Sequence, residues 1–366
     1  MLIGFICNAQ VINFPDANFR GKLLNGHSAS TENVNSQEFP VYGNFITADT
    51  NHNGQIEVVE AQSITCLILD NSGILDLSGI EYFTNLQMLV VPYNYLTNID
   101  LSNLVNLKYL FVDYNLLTSL LVNSSTNLIE LNCEGNQISN IYLTEFTNLE
   151  YLNVSRNLLS TLDLNGLNHL KFVSCEYNQI TALDFTGFSD LIVAKCNNNL
   201  IETLDFSTNP VNAILMCHSN PNLTSICIKN DFSNETYGGI SDILSNNIHL
   251  SYICADDFEI NNLQTNLISS SLTQPVTINS ACNLSKENFN NDKVAFYPNP
   301  TSSIVNIKNK SNIKSVVLYD TLGRILLNKE INQSNFVLDI SNQNKGVYLL
   351  KVVTENGSSI EKIIKE

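Results

Sequence analysis

Hydrophobic residues recur in one fixed frame through the middle of the chain. The frame is first complete as Leu86-x-x-Leu89-x-Val91-x-x-Asn94-x-Leu96-x-x-Ile99-x-Leu101. Its asparagine returns at a constant interval, at Asn94, Asn115, Asn136, Asn157, Asn178, Asn199 and Asn220. A unit of this length cannot bury its own leucines, so the units must stack on one another and share a core. The pattern therefore predicts a solenoid with a long curved surface.

This frame is that of leucine-rich repeats, at the short end of their period range. We predict a mainly β fold, in which about eight repeats of about 21–23 residues build a curved parallel sheet over residues 64–228. The first repeat is irregular and has Ser72 in the asparagine slot. Asparagine suits this slot because its side chain can cap free backbone groups in the turn after each strand. Residues 229–285 lose the period and are predicted to cap the stack.

The pattern changes again towards the C-terminus. Residues 286–293 are polar and are predicted to be a linker. From Val294 onwards, short apolar runs alternate with turn residues, including the pair Asn356-Gly357. Several short antiparallel strands over about 70 residues are typical of a small β-sandwich. Residues 294–366 are therefore predicted to form a C-terminal antiparallel β-sandwich domain.

The first residues resemble the end of a secretory signal peptide. An apolar stretch runs into Cys7-Asn8-Ala9, a small-x-small pattern that is suited to cleavage before Gln10. We interpret residues 1–9 as the remnant of such a peptide. The positively charged segment that normally precedes the apolar run is missing, which leaves open a start upstream of Met1.

The charge of the chain argues against nucleic-acid partners, and its hydropathy argues against a membrane span. The chain has a net charge of −17, of which residues 294–366 contribute +3 and the remainder −20. Nucleic-acid binding needs stripes of Lys and Arg to displace counterions, so no nucleic acid is expected as a partner. No apolar run approaches the length of about 18 residues that a membrane span needs, so no transmembrane segment is predicted.

Residues 10–63 are predicted to be a short helical cap, with a helix over residues 14–24, followed by a loop that suits a metal ion. The loop fits the EF-hand pattern D-x-[DN]-x-[DN]-G-x5-E, and Gly54 lies at its sharp turn. Calcium binds six or more oxygen ligands, and two asparagines in place of acids suggest a weak extracellular site. The alternative is a polar turn that binds no ion. The candidate Ca²⁺ ligands, Gln55 through its backbone carbonyl, are Asp49, Asn51, Asn53, Gln55, Glu57 and Glu60.

Side chains that alternate with the buried strand positions are expected on the concave face of the solenoid. Exposed aromatic residues beside acidic ones are typical of interaction hot spots. The alternative is that aromatic residues merely suit exposed strands. The candidate ligand-binding residues are Tyr109, Phe111, Asp113, Tyr114, Glu134, Tyr151, Arg156, Phe172 and Glu176.

Nine cysteines lie in the chain, and most occupy structural positions. Four of them share the slot three residues before the repeat asparagine, where valine stands elsewhere, and are expected to be small buried apolar residues. Cys254 and Cys282 flank the cap and are candidates for a disulfide after export. Cys66 and Cys227 remain unassigned. The four in the shared slot are Cys133, Cys175, Cys196 and Cys217.

Residues 294–366 resemble the type A C-terminal sorting domain of the type IX secretion system. This resemblance implies export through the outer membrane of a Gram-negative bacterium by the type IX machinery, removal of the domain and attachment of the cargo to the cell surface. Residues 11–285 resemble the leucine-rich-repeat proteins that travel with this domain. The matching residues include Val317-Leu-Tyr-Asp320, and the sorting motif residues are Tyr297, Pro298, Asn299, Pro300, Gly323, Arg324, Gly346, Tyr348, Lys362 and Lys365.

The sequence contains none of the common catalytic motifs, and its five histidines are scattered. We therefore expect a non-enzymatic binding protein or adhesin, secreted and attached to the outer cell surface. Its concave face is expected to recognise an extracellular protein or glycan. One alternative is a structural envelope protein that acts as a spacer and has no specific ligand. A further alternative is a hydrolase with an unrecognised site.

Overall fold

The computed structural model describes the chain in segments. Residues 1–9 and 286–293, interpreted above as a signal peptide remnant and a linker, lie outside the described part. The chain forms two compact units, Met1–Cys282 and Asn283–Glu366. The described residues are 10–26, 28–32, 45–120, 122, 126–209, 213–229, 245–268, 275–282, 294–320, 324–354 and 357–366.

The elements of the first unit are short. Among the described residues its helices are α1 (Ala17–Asn25), α2 (Val58–Ser63), α3 (Ile260–Ile268) and the 3-10 helix Ile80–Tyr82. Its strands are β1 (Ala29–Ser30), β2 (Cys66–Ile68), β3 (Met88–Val90), β4 (Tyr109–Phe111), β5 (Glu130–Asn132), β6 (Tyr151–Asn153), β7 (Phe172–Ser174), β8 (Val193–Lys195), β9 (Thr203–Asp205), β10 (Ile214–Met216), β11 (Ser225–Cys227), β12 (Tyr252–Cys254) and β13 (Thr277–Asn279).

The long sheet of the first unit has nine strands, in the order β1-β2-β3-β4-β5-β6-β7-β8-β10. In this sheet the strands from β2 to β8, followed by β10, are parallel and in register, so that Leu89, Leu110 and Leu131 are neighbours. These central residues are buried, whereas the residues on either side of them point to the opposite face. The stacked leucines form one continuous core. The predicted mainly β leucine-rich-repeat solenoid is confirmed.

The repeat asparagines join each turn of the solenoid to the turn before it. Asn157 Nδ2 donates hydrogen bonds to the carbonyl oxygens of Cys133 (3.0 Å), Val154 (3.1 Å) and Ser155 (3.1 Å). Its Oδ1 accepts a hydrogen bond of 3.0 Å from the backbone N–H of Ile138. A buried amide must pair its polar atoms, and the same pattern of partners recurs at the other repeat asparagines. The hydrogen bonds explain the constant spacing.

The residue before each repeat asparagine has a left-handed backbone. Its φ lies between 51° and 67° in all seven regular repeats, although only one of the seven is glycine. A left-handed residue that is not glycine costs about 1–2 kcal/mol, so the packing of each turn must impose it. We call these side chains the edge column. They are Tyr93, Tyr114, Gly135, Arg156, Tyr177, Asn198 and Ser219.

The solenoid continues beyond Ile228, into the region where the sequence loses its period. Asn247 takes the place of the next repeat asparagine: its Oδ1 accepts a hydrogen bond from Asn220 N, and its Nδ2 donates one to Cys217 O. Strands β9, β11, β12 and β13 form a second parallel sheet. The last turns of the solenoid therefore carry strands in two sheets.

Helix α1 covers the start of the solenoid. Asp16 is its N-cap, and Oδ1 of Asp16 accepts hydrogen bonds from the backbone N–H groups of Asn18 and Phe19. The other carboxylate oxygen accepts hydrogen bonds from Leu75 N (2.7 Å) and Asp76 N (3.1 Å) in the first repeat. One carboxylate thus both begins the helix and joins it to the repeats.

The second unit is an antiparallel sheet of five strands, as predicted for the C-terminal domain. Strand β15 pairs with β16 along its length, and also with β14 at its start and with β17 at its end. The inward side chains of this unit form a separate core that includes Val305, Ile307 and Leu350. The strands are β14 (Ala295–Tyr297), β15 (Ile304–Tyr319), β16 (Ile325–Asp339), β17 (Gly346–Thr354) and β18 (Gly357–Lys365).

The cysteine predictions can be compared directly with the structure. The four cysteines in the shared repeat slot are free thiols with no exposed surface, as expected. Burial raises the pKa of the Cys133 thiol to about 12, which keeps it protonated. Cys254 and Cys282 form a disulfide, with Cα atoms 5.1 Å apart. Cys66 and Cys227 are buried free thiols.

Candidate functional site

The predicted metal loop is wrapped around its own carboxylates. Asp49 Oδ1 accepts a hydrogen bond of 3.1 Å from Asn53 N, and Oδ2 accepts one of 2.8 Å from Gly54 N. Glu60 Oε1 accepts hydrogen bonds from the backbone N–H groups of Thr50 (2.8 Å) and Asn51 (3.1 Å). The backbone therefore holds the first and the last predicted ligands on one side of the loop.

Three carboxylates of this loop are buried, since Asp49, Glu57 and Glu60 are only 5–7% exposed. Glu57 accepts hydrogen bonds from Asn53 Nδ2 (2.7 Å) and Asn51 Nδ2 (3.1 Å). The hydrogen bonds of Glu57 with Glu60 and then with Asn53 lower its pKa and keep it ionised. Among the described residues, no salt bridge reaches these three acids.

This donor set fits a calcium ion. Oxygen donors are the ligands that Ca²⁺ prefers, and a cation compensates the charge of buried carboxylates. The exposed residue Gln55 donates its backbone N–H to Asn53 Oδ1. Asp49, Asn51, Asn53, Glu57 and Glu60 would supply side-chain oxygens, and Gln55 its backbone carbonyl.

Tyr109 and Phe111 are not exposed on the concave face, so the prediction for these two residues is wrong. Tyr109 is 6% exposed and Phe111 is 8% exposed. They form a small second hydrophobic cluster with Cys66 and Met88, against which Phe45 packs. Side chains of the N-terminal region therefore cover this end of the face, and the exposed part of the face begins further along the solenoid.

Tyr151 and Phe172 lie on that more accessible part of the face. Both are partly buried, and their rings are stacked with centroids 5.0 Å apart and an interplanar angle of 12°. They line a hollow of about 360 Å³ on the strand surface, together with Glu130, Leu131, Asn132, Leu152, Asn153 and Ser174. The hollow combines an aromatic wall with amide, hydroxyl and carboxylate groups. Such a combination suits a polar ligand with some apolar surface.

The acids beside this hollow are held in place by neutral donors. Glu134 Oε2 accepts a hydrogen bond of 3.0 Å from Asn153 Nδ2. Glu176 Oε2 accepts hydrogen bonds from Ser174 Oγ (2.9 Å) and Ser155 Oγ (3.2 Å). The donors to Glu176 are uncharged, so they fix its carboxylate without neutralising it, whereas Glu134 also has a charged partner in Arg156.

Two further acids on this face have altered pKa values. Burial raises the pKa of Asp113, with the negative charge of Glu134 as a smaller cause. Asp113 Oδ1 also accepts a hydrogen bond of 3.2 Å from Asn132 Nδ2. Burial raises the pKa of Glu130 as well. The concave face therefore keeps acids in an environment that disfavours their charge.

The edge column adds exposed aromatic and cationic groups to this face. Tyr93 stacks on Tyr114, with ring centroids 4.7 Å apart and an interplanar angle of 3°. The Arg156 guanidinium lies 4.3 Å from the ring centroid of Tyr177, and Arg156 Nε lies 3.3 Å from Glu134 Oε1. The sequence prediction omitted Tyr93 and Tyr177. Their position immediately before a repeat asparagine was the signal that could have identified them.

A second hollow, with a volume of about 530 Å³, lies at the other end of the strands. Its surface is mainly polar, and its asparagines are committed to backbone pairing, as in the hydrogen bonds from Asn85 to Gln62 O and from Asn106 to Thr84 O. Lys108 Nζ donates a hydrogen bond of 3.1 Å to Gln87 Oε1 there. The lining residues are Gln62, Ser63, Thr65, Asn85, Gln87, Asn106, Lys108 and Asn127.

The predicted sorting residues converge on the last strand of the second unit. Asn299 Nδ2 donates a hydrogen bond of 2.6 Å to Lys362 O, and Asn299 Oδ1 accepts one of 2.9 Å from Ile364 N. Lys365 Nζ donates a hydrogen bond of 3.0 Å to Ser302 O. The motif Tyr297-Pro-Asn-Pro300, which contains two cis peptide bonds, thus lies against β18.

The remaining motif residues shape the ends of other strands. Arg324 Nε lies 2.6 Å from Asp320 Oδ2, and the two form a salt bridge. The Tyr348 hydroxyl donates a hydrogen bond of 2.6 Å to Asn344 O, and Gly346 begins β17. Gly323 lies outside the described residues.

Comparison with protein families assigns the second unit. Residues 295–366 match the family described as the secretion system C-terminal sorting domain. These residues are therefore similar to a secretion sorting domain. The match agrees with the resemblance inferred from the sequence and covers the convergent motif residues on β18. In the described part of the chain, no helix has both the length and the apolar character of a membrane span.

Comparison with solved structures finds internalins of Listeria monocytogenes. Internalin C2 is 22% identical, with a TM-score of 0.44 over 68% of this chain and 98% of its own. The functional domain of InlJ, which includes a cysteine ladder, is 19% identical, with a TM-score of 0.31 over 85% of this chain and 93% of its own. Internalin InlF is 21% identical, with a TM-score of 0.37 over 77% of this chain and 97% of its own. No curated protein sequence matches the chain. At these TM-scores the likeness carries no functional conclusion.

Proposed function

We propose that this chain is a secreted, surface-attached and non-enzymatic binding protein of the adhesin type. The sorting domain supports export, which we assign to the type IX secretion machinery of a Gram-negative bacterium. The ligand is an extracellular protein or glycan, and the concave face of the solenoid recognises it.

The observation that carries this proposal is the hollow beside Tyr151 and Phe172. Its aromatic pair provides apolar contact area, and Asn153 and Glu176 have fixed hydrogen-bonding positions. Side chains that are already ordered lose little entropy when a ligand binds. A surface built in this way favours recognition over a purely structural role.

A binding experiment with a matched control tests the proposal. The full chain, the double variant Tyr151→Ala/Phe172→Ala and the double variant Tyr95→Ala/Phe258→Ala are each incubated with host surface proteins and extracellular polysaccharides. Tyr95 and Phe258 are exposed aromatic residues outside the strands, so the control removes one tyrosine and one phenylalanine ring elsewhere on the surface. We expect saturable binding by the full chain and by the control variant, and at least about a ten-fold loss in the first variant.

Two other outcomes would contradict the proposal. Equal and unsaturable capture by all three proteins would favour the structural spacer. Turnover of a polysaccharide or peptide by the pure chain, abolished by one point substitution, would favour the unrecognised hydrolase.

We further propose that the loop at residues 49–60 binds Ca²⁺ in a structural role. The ion would supply the positive charge that Asp49, Glu57 and Glu60 need when they are buried together. Arg20 on α1 donates a hydrogen bond of 3.1 Å to Gly54 O in this loop. A loop braced by calcium would therefore also hold α1 against the first repeat.

A further inference from the structure

Three cysteine sulfur atoms lie together at the far end of the solenoid. Cys227 ends β11 and Cys254 ends β12, and these two residues are partners in neighbouring parallel strands. Cys282 follows β13, the next strand of the same sheet. The three sulfur atoms lie within 4.8 Å of one another.

The free thiol of Cys227 lies against the disulfide formed by the other two cysteines. Cys254 and Cys282 are bonded, and Cys227 is a free thiol. Cys227 Sγ lies 2.7 Å from Cys254 Sγ. A thiol sulfur in contact with a disulfide sulfur is the arrangement from which thiol–disulfide exchange begins.

Two hydrogen-bond donors face the sulfur of Cys227. The backbone N–H of Lys229 and the hydroxyl of Ser207 donate hydrogen bonds to its sulfur, although burial raises its pKa overall. Lys229 Nζ donates a hydrogen bond of 2.7 Å to Ser280 O, two residues before Cys282. The lysine thus joins the turn after β11 to the segment that carries the third cysteine.

Cys282 differs from the other two cysteines in exposure and in backbone conformation. Cys227 and Cys254 are almost fully buried, whereas Cys282 is half-buried. Its φ is 46°, in the left-handed region that favours glycine. A residue other than glycine is strained in this conformation, so breaking the disulfide at Cys282 would allow its backbone to relax.

We propose that Cys227, Cys254 and Cys282 form an internal thiol–disulfide exchange site, and that the exchange releases Cys282 as a free thiol. The Cys227 thiolate attacks Cys254 Sγ, a Cys227–Cys254 bond forms and the Cys254–Cys282 bond breaks. The electron pair of the broken bond leaves with Cys282, which takes up a proton. Cys227 has lost one proton and Cys282 gains one, so one thiol and one disulfide are present before and after the exchange, and no external oxidant or reductant is needed. Cys282, the last residue of the first unit, then accepts an outside thiol-reactive group.

Trypsin distinguishes the two pairings without reduction of the protein. The chain has no lysine or arginine between residues 196 and 228 or between residues 230 and 285. A Cys254–Cys282 bridge therefore stays within the single peptide 230–286. A Cys227–Cys254 bridge joins peptides 196–229 and 230–286, and mass spectrometry separates the two products.

The test follows the full native chain at pH 8 in the presence of N-ethylmaleimide. We expect the label to accumulate on Cys282 while the joined peptide appears in equal amount. In Cys227→Ala the labelling of Cys282 should be at least about ten-fold slower, whereas Cys196→Ala, which lacks another buried thiol, should behave as the unaltered chain does. Equal labelling of Cys282 in Cys227→Ala would overturn the proposal, and so would the lack of any labelling in the unaltered chain.

A second variant traps the product and does not depend on the stability of Cys227→Ala. In Cys282→Ala, oxidised glutathione should join Cys227 to Cys254 and give the joined tryptic peptide. If Cys254 carries only a glutathione adduct, the two strands do not allow the second bridge and the exchange does not occur. Stoichiometric zinc in the unaltered chain, with neither bridge present, would instead indicate a metal site of three thiolates.

Discussion

The Tyr114 hydroxyl donates a hydrogen bond of 2.9 Å to Glu134 Oε1, between neighbouring turns of the solenoid. This bond is the main cause that raises the pKa of Tyr114 above its ordinary value of 10.0, because loss of the proton would bring two negative charges together. Glu134→Gln should therefore lower the Tyr114 pKa towards 10.0. A ¹³C-tyrosine NMR titration measures this change. Glu150→Gln, at a site paired with Lys171, is the control and should leave the pKa of Tyr114 unchanged.

Gly135 provides the space in which the Tyr114 ring lies. A Cβ atom at this position would lie 2.7 Å from the ring, and the φ of Gly135 is 67°. Gly135→Ala should cost about 1–2 kcal/mol for the left-handed backbone and should also displace the ring. Gly166→Ala is a matched control, since its φ is 87° and no atom lies within 4 Å of its added Cβ. Chemical denaturation should show a smaller loss for Gly166→Ala, and only Gly135→Ala should shift the Tyr114 pKa.

The repeat asparagines should be among the most sensitive positions in the chain. Asn157→Ala leaves the buried Ile138 N–H without its partner, which costs about 1–3 kcal/mol, and it also removes three hydrogen bonds to carbonyl oxygens. We expect urea denaturation to show a loss of about 3 kcal/mol or more. Asn165→Ala, at an exposed turn, should stay within about 0.5 kcal/mol of the unaltered chain. Similar losses for both variants would contradict the role assigned to the asparagine ladder.

Calcium should raise the melting temperature of the unaltered chain relative to a chelator. At an ion concentration about 100 times the dissociation constant, binding adds about 2.7 kcal/mol of stability. Asn51→Ala should remove most of this difference, because its side-chain oxygen is a predicted ligand. The melting temperature in chelator measures separately the loss of its hydrogen bonds with Asn53 N and Glu57. Glu60→Ala is a poorer test, because Glu60 also accepts hydrogen bonds from Thr50 N and Asn51 N. Their loss would lower the melting temperature even in the absence of the ion. Equal melting of the unaltered chain in calcium and in chelator would exclude the site.

The raised pKa of Glu130 makes a prediction about pH. An acid whose pKa is higher in the folded state stabilises the fold below its unfolded pKa, near 4.5, and that stability is lost as pH rises through the folded value. Glu130→Gln should therefore reduce the loss of stability between pH 4 and pH 7. Asp100→Asn should act in the opposite sense and at lower pH. The Ser102 N–H lowers the pKa of Asp100, so the stability that its ionised form adds is lost as pH falls below 3.8. Melting curves that extend below pH 3.8 compare the two variants.

The repeating part of the fold could be predicted because its constraints are local and periodic. The spacing of asparagines such as Asn115 and Asn136 reflects hydrogen bonds between adjacent turns, so the frame in the sequence is the frame in space. The end of the stack was harder to predict. Asn247 takes the next place on the ladder 27 residues after Asn220, and this longer step hides it from a search at a fixed period.

The exposure of the concave face could not be predicted from the repeats alone. The strand positions of Tyr109 and Phe111 follow the frame, but their burial depends on contacts with distant residues such as Phe45. The pairing of Tyr93 with Tyr114 has the same origin, since rings one repeat apart in the sequence meet only because the turns stack. For the metal loop, the spacing of Asp49 and Glu60 predicted the donors, and calcium binding itself stays a prediction.

The asparagine ladder also limits how a gene of this kind can change in length. Each buried amide pairs with carbonyl groups of its own turn and of the turn before it, so the insertion or deletion of one whole repeat restores the same partners. Unequal recombination between repeats can therefore lengthen or shorten the surface in whole steps. An insertion of any other length within a turn would leave buried polar groups without partners, although the step from Asn220 to Asn247 shows that the ladder can include one longer interval. The hydrogen bonds that stabilise this protein thus also favour descendants that differ from it in length by whole repeats.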